Sequence, residues 1–172
     1  MERFEAPRRP HVVFVGDERT QLDSWLDFYR GTLLTKCDGL RPDQMRQRPV
    51  ASSMLSLLGL VRHFTFVEQA WFESCFAGRD VLEYFKSADD RDLDFRDLDS
   101  LAAEEVFDLY LEAVATSRSL SADHELDEHA AKPRGGRDVD LRWIYLHLIE
   151  EYARHCGHAD ILRELIDGTT GY

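Results

Sequence analysis

Glu151, His155 and His158 recur at spacings of four and three, and the same rhythm continues outward to Ile144 and Leu148 on one side and Leu162 and Leu165 on the other. In a helix this alternation keeps side chains on one face, with i and i+4 about 5–6 Å apart at Cβ. One inward stripe thus changes from apolar to polar and back. Burying a carboxylate and two imidazoles without partners costs roughly 1–3 kcal/mol or more in lost hydrogen bonds, and a divalent cation is one partner that offsets this. His63, in an earlier and strongly apolar segment, is the residue that completes the set. Nitrogen and carboxylate donors without a thiolate suit Zn²⁺, and also Ni²⁺, Fe²⁺ or Mn²⁺; zinc is the first choice on abundance and chemistry. Three protein ligands with open positions would mark a catalytic rather than a structural site. The competing reading is a polar core, in which Glu151 and His155 bond to one another, His158 caps a neighbour and His63 packs alone. Composition and spacing leave both open.

The remaining reactive residues carry weaker signals. His147 lies four before Glu151 but drifts off the seam, so it is expected behind the ligands at best, and His11, His124 and His129 fall in arm or loop regions as surface residues. Cys37, Cys75 and Cys156 are too few and too scattered for a disulfide framework and form no CxxC pair, which fits free thiols in a reducing compartment. Cys156 adjoins His155, yet the next residue on a helix points about 100° away, so a catalytic role for it is not expected.

Four amphipathic segments supply the frame. Leu22, Trp25, Leu26, Tyr29 and Leu33 predict a helix over about 17–37. A second, the most apolar, is expected to start near Ser52 or Ser53 and run through Leu60, His63, Val67, Trp71 and Cys75 to Gly78. A third spans about 100–120, with Val106, Leu109, Tyr110, Ala113 and Leu120 on one face and Glu104 and Glu105 in its first turn. The fourth runs from about Val139 to Asp167 and stops at Gly168. Between the second and third, 79–99 is acidic, holds a short candidate helix at Val81 to Phe85, and is long enough to cross a bundle end to end. No strand-like alternation competes, so the fold class is all-α, a four-helix bundle with a long crossover between helices two and three, and bundles build metal sites from facing helices.

The 172 residues suit one domain, 1–172, with 1–16 as an N-terminal arm, mobile or docked at an edge. A net charge of -12 argues against nucleic acid, because phosphate binding needs a clustered basic surface. An acidic face also suits an anionic membrane poorly. No stretch reaches the roughly 20 apolar residues that span a bilayer, and Met1-Glu-Arg-Phe-Glu is charged where a signal peptide would be apolar, so a soluble cytoplasmic protein is expected. The 18 Arg against 3 Lys suggest a GC-rich bacterial coding bias.

These residues together resemble the DinB-like superfamily, and within it the branch related to mycothiol-dependent S-transferases, over nearly all of the chain from Glu18 onward. The resemblance is carried by Gly59-Leu-Val-Arg-His63 with Glu68 and Trp71, by Leu141-Arg-Trp143 leading to His147, and by Glu150-Glu-Tyr-Ala-Arg-His-Cys-Gly-His-Ala-Asp160 followed by Arg163-Glu164 and Asp167-Gly168. It implies a four-helix bundle with a long crossover after helix two, and a divalent metal held by His63, Glu151 and His155. Many relatives have histidine at the Glu151 position, whereas mycothiol-dependent isomerases of the superfamily share the glutamate. His158 stands where many relatives carry glutamine, which implies a place beside the metal as proton relay; a His63, His155, His158 triad is the runner-up.

The activity so implied is metal-dependent S-transfer. The thiol of a small co-substrate, mycothiol in first place and bacillithiol or another thiol in second, would be deprotonated at the metal and attack an electrophilic carbon. Arg134, Arg137 and Arg154 are candidates to meet polar or acidic parts of either substrate. A metal-dependent isomerase or hydrolase and a non-catalytic metal- or ligand-binding stress protein are the alternatives. A homodimer is open to such a bundle, and its exposed faces do not decide it.

Overall fold

Helix α1, Glu18–Cys37, starts where Asp17 accepts a hydrogen bond from the Thr20 N–H at 2.9 Å, satisfying one of the amides a helix start leaves unpaired. The structure, a computed structural model, describes residues 2–82, 84–87, 89–90 and 92–171. After the short α2, Pro42–Met45, helix α3 runs over Leu57–Glu68 and continues without a break into a π-helical segment, Gln69–Phe76. A four-residue α4, Leu93–Arg96, lies in the crossover, followed by α5, Ala103–Ser121, and α6, Leu141–Asp167. Among the described residues there is no strand, only isolated bridges at His129–Asp140 and Arg134–Arg137. The fold is all-α, as expected.

The ends of the long helices give their directions. Arg142 pairs with Glu18 at 2.7 Å while Arg163 donates to the Lys36 and Asp38 carbonyls, so α1 and α6 run parallel. His63 faces Glu151 and Trp71 faces Trp143, so α3 with its π extension runs antiparallel to α6. Arg46 reaches the Leu101 carbonyl near the start of α5, and Phe76 meets His124 just past its end, so α5 runs parallel to α3. A parallel pair needs a connection that travels the length of the bundle, and the segment between Phe76 and Ala103 is that crossover.

Its return is clamped onto the start of α3. The buried Arg62 donates to the carbonyls of Asp97 and Leu93, and its guanidinium lies 4.5 Å over the Phe85 ring. Gly59 lets Phe95 close in, since a Cβ there would meet the Phe95 ring at 2.7 Å. The helix expected at Val81 to Phe85 is not formed. Tyr84 and Phe85 make a turn, with a φ of 63° at Phe85 that turns its ring under Arg62, and Glu83 lies outside the described residues.

Other expectations shift by a turn or less. Helix α3 begins at Ser56, whose Oγ accepts from the Gly59 N–H at 3.1 Å, rather than at Ser52 or Ser53. All three serines can cap, and the complete burial of Leu57 and Leu58 selects the third. The stripe of α6 rotates: Ile144, Leu148 and Leu162 are buried, but Leu165 is 55% exposed and Ile166 packs inward instead. A straight helix drifts about 20° per heptad against a seven-residue repeat, so a seam three heptads long cannot stay inward throughout. The N-terminal arm docks through Phe4, which stacks on Phe107 at 3.8 Å and exchanges backbone hydrogen bonds with Leu40 and Gly39, while Val13, Phe14 and Val15 stay exposed.

Candidate metal centre

Glu151 and His155 lie one turn apart on α6, and His63 meets them from the antiparallel α3. Oε1 of Glu151 is 3.3 Å from Nε2 of His63 and 3.5 Å from Nε2 of His155, and one ligand atom from each of the three residues falls within 4.8 Å of the others. The three side chains are 13–16% exposed, neither sealed in the core nor free in solvent. A carboxylate and two imidazole nitrogens converging on one point are a donor set suited to a divalent cation such as zinc.

The charge state of the cluster follows from its contacts. Hydrogen bonds from His155 and His63 hold the Glu151 carboxyl well below the usual carboxylate range. Burial works against a charged His63 ring, but its hydrogen bonds to Asp94 and Glu151 outweigh that and raise its pKa above the ordinary value. The residues therefore form a compact, hydrogen-bonded acid–base group in which a cation would displace protons from the imidazoles.

Each imidazole is also held from behind. Oδ2 of Asp94 lies 2.8 Å from Nδ1 of His63, and Asp94 is 1% exposed, with the Lys86 ammonium 3.7 Å away. A carboxylate at Nδ1 accepts that ring N–H, so that when Nε2 gives up the proton it donates to Glu151, the tautomer left is the one whose Nε2 lone pair could face a cation. Asp94 lies in the acidic 79–99 run, whose composition marks it only as polar; its position depends on the crossover folding back over α3. His155 has its own rear partner, because Nδ1 of His158 sits 3.2 Å from Nδ1 of His155. His158 therefore lies on the far side of the His155 ring from the Glu151 oxygen.

Beneath the cluster, a buried polar network ties the long helices together. The Arg30 guanidinium on α1 donates twice to Glu68, at 2.8 and 2.7 Å, the Tyr152 hydroxyl donates to Glu68 at 2.8 Å, and the Tyr110 hydroxyl lies 3.1 Å from that of Tyr152. Glu68 and Tyr152 are fully buried. Tyr152 follows Glu151 in the chain and stacks on Phe64, which follows His63, at 3.7 Å. The same contacts that satisfy the buried charge thus set the spacing of α3 and α6 at the cluster.

The other candidates disperse. His147 packs against Trp71 and Trp143, at 4.7 and 4.9 Å between ring centroids, rather than behind the cluster. Cys156 is buried facing α1, its thiol pushed up to about 12 by burial, which disfavours the thiolate at neutral pH. Arg154 pairs with Glu150 and, at 3.2 Å, with the outer oxygen of Glu151, while Arg134 lies over Trp71.

Long antiparallel helices with a His, Glu, His cluster between two of them define an all-α bundle protein with a candidate divalent-metal centre. The model of the family described as Mycothiol-S-transferase (MST) matches residues 21–168, and the chain belongs to that family, in keeping with its DinB-like resemblance. Among curated proteins no match is found.

Proposed function

We propose that the protein conjugates a low-molecular-weight thiol, mycothiol in first place, to an electrophilic small molecule at a divalent-metal centre formed by His63, Glu151 and His155. The observation that supports this best is the convergence of two imidazole nitrogens and a carboxylate oxygen within 4.8 Å, in a chain of the Mycothiol-S-transferase family. Zinc is the preferred ion, because the donors are nitrogen and carboxylate oxygen. A cation held there would stabilise thiolate over thiol and so make a nucleophile available at neutral pH.

The chain's own residues do the rest. Asp94 fixes the tautomer and angle of His63, and His158 does the same for His155 by accepting at Nδ1. Glu151 stays ionised and offsets the charge of a bound cation. Proton exchange between the thiol and solvent is assigned to His158, which is half-exposed beside His155; burial and the nearby His155 keep its pKa low and its ring neutral. No helix of the described residues is long and apolar enough to cross a membrane, which agrees with work on soluble thiols in the cytoplasm.

The experiment is thiol consumption by purified protein with mycothiol and a panel of electrophiles, with and without added zinc. Loss of thiol and electrophile together, with appearance of the thioether, is expected only when metal and thiol are both present. Free thiol recovered undiminished after electrophile is consumed would instead indicate isomerase or hydrolase chemistry, and an inert metal-loaded protein would leave only a binding role.

A further inference from the structure

Where α6 begins, a cavity of about 570 Å³ is bounded by Trp71, Trp143, Arg134 and the 135–140 turn. Its wall is aromatic: the Trp71 and Trp143 centroids are 5.1 Å apart, and His147 stacks on Trp143 at 4.9 Å with the ring planes 17° apart. Trp143 is 43% exposed, so its ring face is open to a ligand. Trp71 comes from the π-helical segment, a helix form concentrated at functional sites because its extra residue re-aims a side chain.

Over this wall stands a cation. The Arg134 guanidinium lies 4.9 Å from the Trp71 ring centroid and donates once, to the Ala70 carbonyl at 3.3 Å. No carboxylate pairs with it among the described residues, in a chain of net charge -12 where most buried or half-buried arginines have acidic partners. Arg137 and Asp138 are exposed at the rim, and Asp140 is occupied in capping α6 through the Trp143 N–H at 2.8 Å. A half-buried guanidinium flanking indole faces recognises a planar ring by stacking and a carboxylate by a charged, bidentate hydrogen bond.

We infer that this cavity is a binding subsite for a planar aromatic carboxylate, with Trp71 and Trp143 holding the ring and Arg134 the carboxylate. Its relation to the centre gives the subsite a use. Trp143, His147 and Glu151 succeed each other at intervals of four along one face of α6, and Trp71 is eight residues beyond His63 on the antiparallel rod, a rise of about 12 Å. Phe66 lies between, with Arg134 at 5.9 Å and Lys86 at 4.9 Å from its ring. An acid anchored at Arg134 can therefore extend its reactive carbon toward the cluster a little over two turns away. As the electrophile's seat the subsite rests on the transferase reading; as a binding site it does not.

Calorimetric titration of the purified protein with 2-naphthoate and with the neutral 2-naphthamide tests it. The acid is expected to bind at least about 10-fold more tightly than the amide. Arg134→Met should remove that difference while leaving amide binding in place, and Trp143→Ala, checked for wild-type circular dichroism, should weaken both ligands. Equal binding of acid and amide, or a preference for the acid that survives Arg134→Met, would overturn the subsite. The transferase reading fails separately: naphthoate binding with no thiol consumption by any electrophile sinks transfer and keeps the subsite, whereas turnover by a protein that binds no naphthoate does the reverse.

Discussion

The Nδ1 of His63 lies 2.8 Å from the Asp94 carboxylate, which is 1% exposed and reaches the imidazole from the crossover rather than from either helix of the candidate centre. A carboxylate behind a ligating imidazole fixes its tautomer, and losing such a partner typically costs 10–100-fold in metal affinity. Asp94→Asn is therefore expected to weaken zinc binding by about that factor, measured by competition with a chromophoric chelator, while circular dichroism stays at the wild-type level. Unchanged affinity would make Asp94 a structural residue only.

Asp94 also shows where sequence reading stops. His63, Glu151 and His155 were legible because helical spacing repeats over several turns and polar residues interrupting an apolar seam stand out. Asp94 sits among Asp89, Asp90, Asp92, Asp97 and Asp99, and nothing local separates it from them; the distinction comes from Arg62 and Phe95, which draw the crossover onto α3. The π-helical segment was equally hidden, since one extra residue per turn is decided by packing between helices. The four long helices were predictable from periodicity. The start of α3 was not, because Ser52, Ser53 and Ser56 are equivalent as caps and differ only in how deeply the next residues are buried.

Acid and base should act oppositely on the metal-free and metal-loaded protein. His63 has a raised folded pKa, so its contribution to metal-free stability is full below about pH 6.5, the unfolded value, and is lost as pH rises through the folded value. Glu151 has a depressed folded pKa, so its contribution is present above about pH 4.3 and is lost on further acidification. Metal loading requires deprotonated imidazoles and should fall as pH drops through the His63 value. Zinc affinity measured from pH 8 to 5.5 is expected to decline toward the acid side, and an affinity independent of pH would argue against imidazole ligands.

Glu68→Ala would strand the buried Arg30 guanidinium, which is 6% exposed and retains only Asp27, and would remove the acceptor of the Tyr152 hydroxyl. Breaking a buried pair in this way costs about 3–5 kcal/mol, read as a lower urea midpoint at unchanged slope. Tyr152→Phe, which deletes only the hydroxyl, is expected to cost about 1–3 kcal/mol. If both variants matched the wild type, the network would not hold the helices.

Cys156→Ala should leave thiol transfer within about twofold of the parent. The Cys156 thiol is buried, pushed up to about 12, and faces the Tyr29 carbonyl on α1 at 3.7 Å. Its alkylation in the folded protein is expected to be slow at neutral pH, and loss of activity on replacement would place a protein thiol in the reaction.

His158 stands behind His155, its Nδ1 3.2 Å from that of His155, and we propose that it orients the ring and exchanges protons. His158→Ala is expected to slow turnover and reshape its pH profile while lowering metal content less than His155→Ala does. A variant as active as the parent removes both roles.

Metal content by mass spectrometry on untagged protein, compared across wild type, His63→Ala and His155→Ala, reaches the central claim most directly. Near-stoichiometric divalent metal in the wild type, lost in both variants while they remain folded, is the predicted result. A well-folded wild type that holds no metal even after zinc or nickel is supplied would contradict it and leave His63, Glu151 and His155 as a hydrogen-bonded polar core.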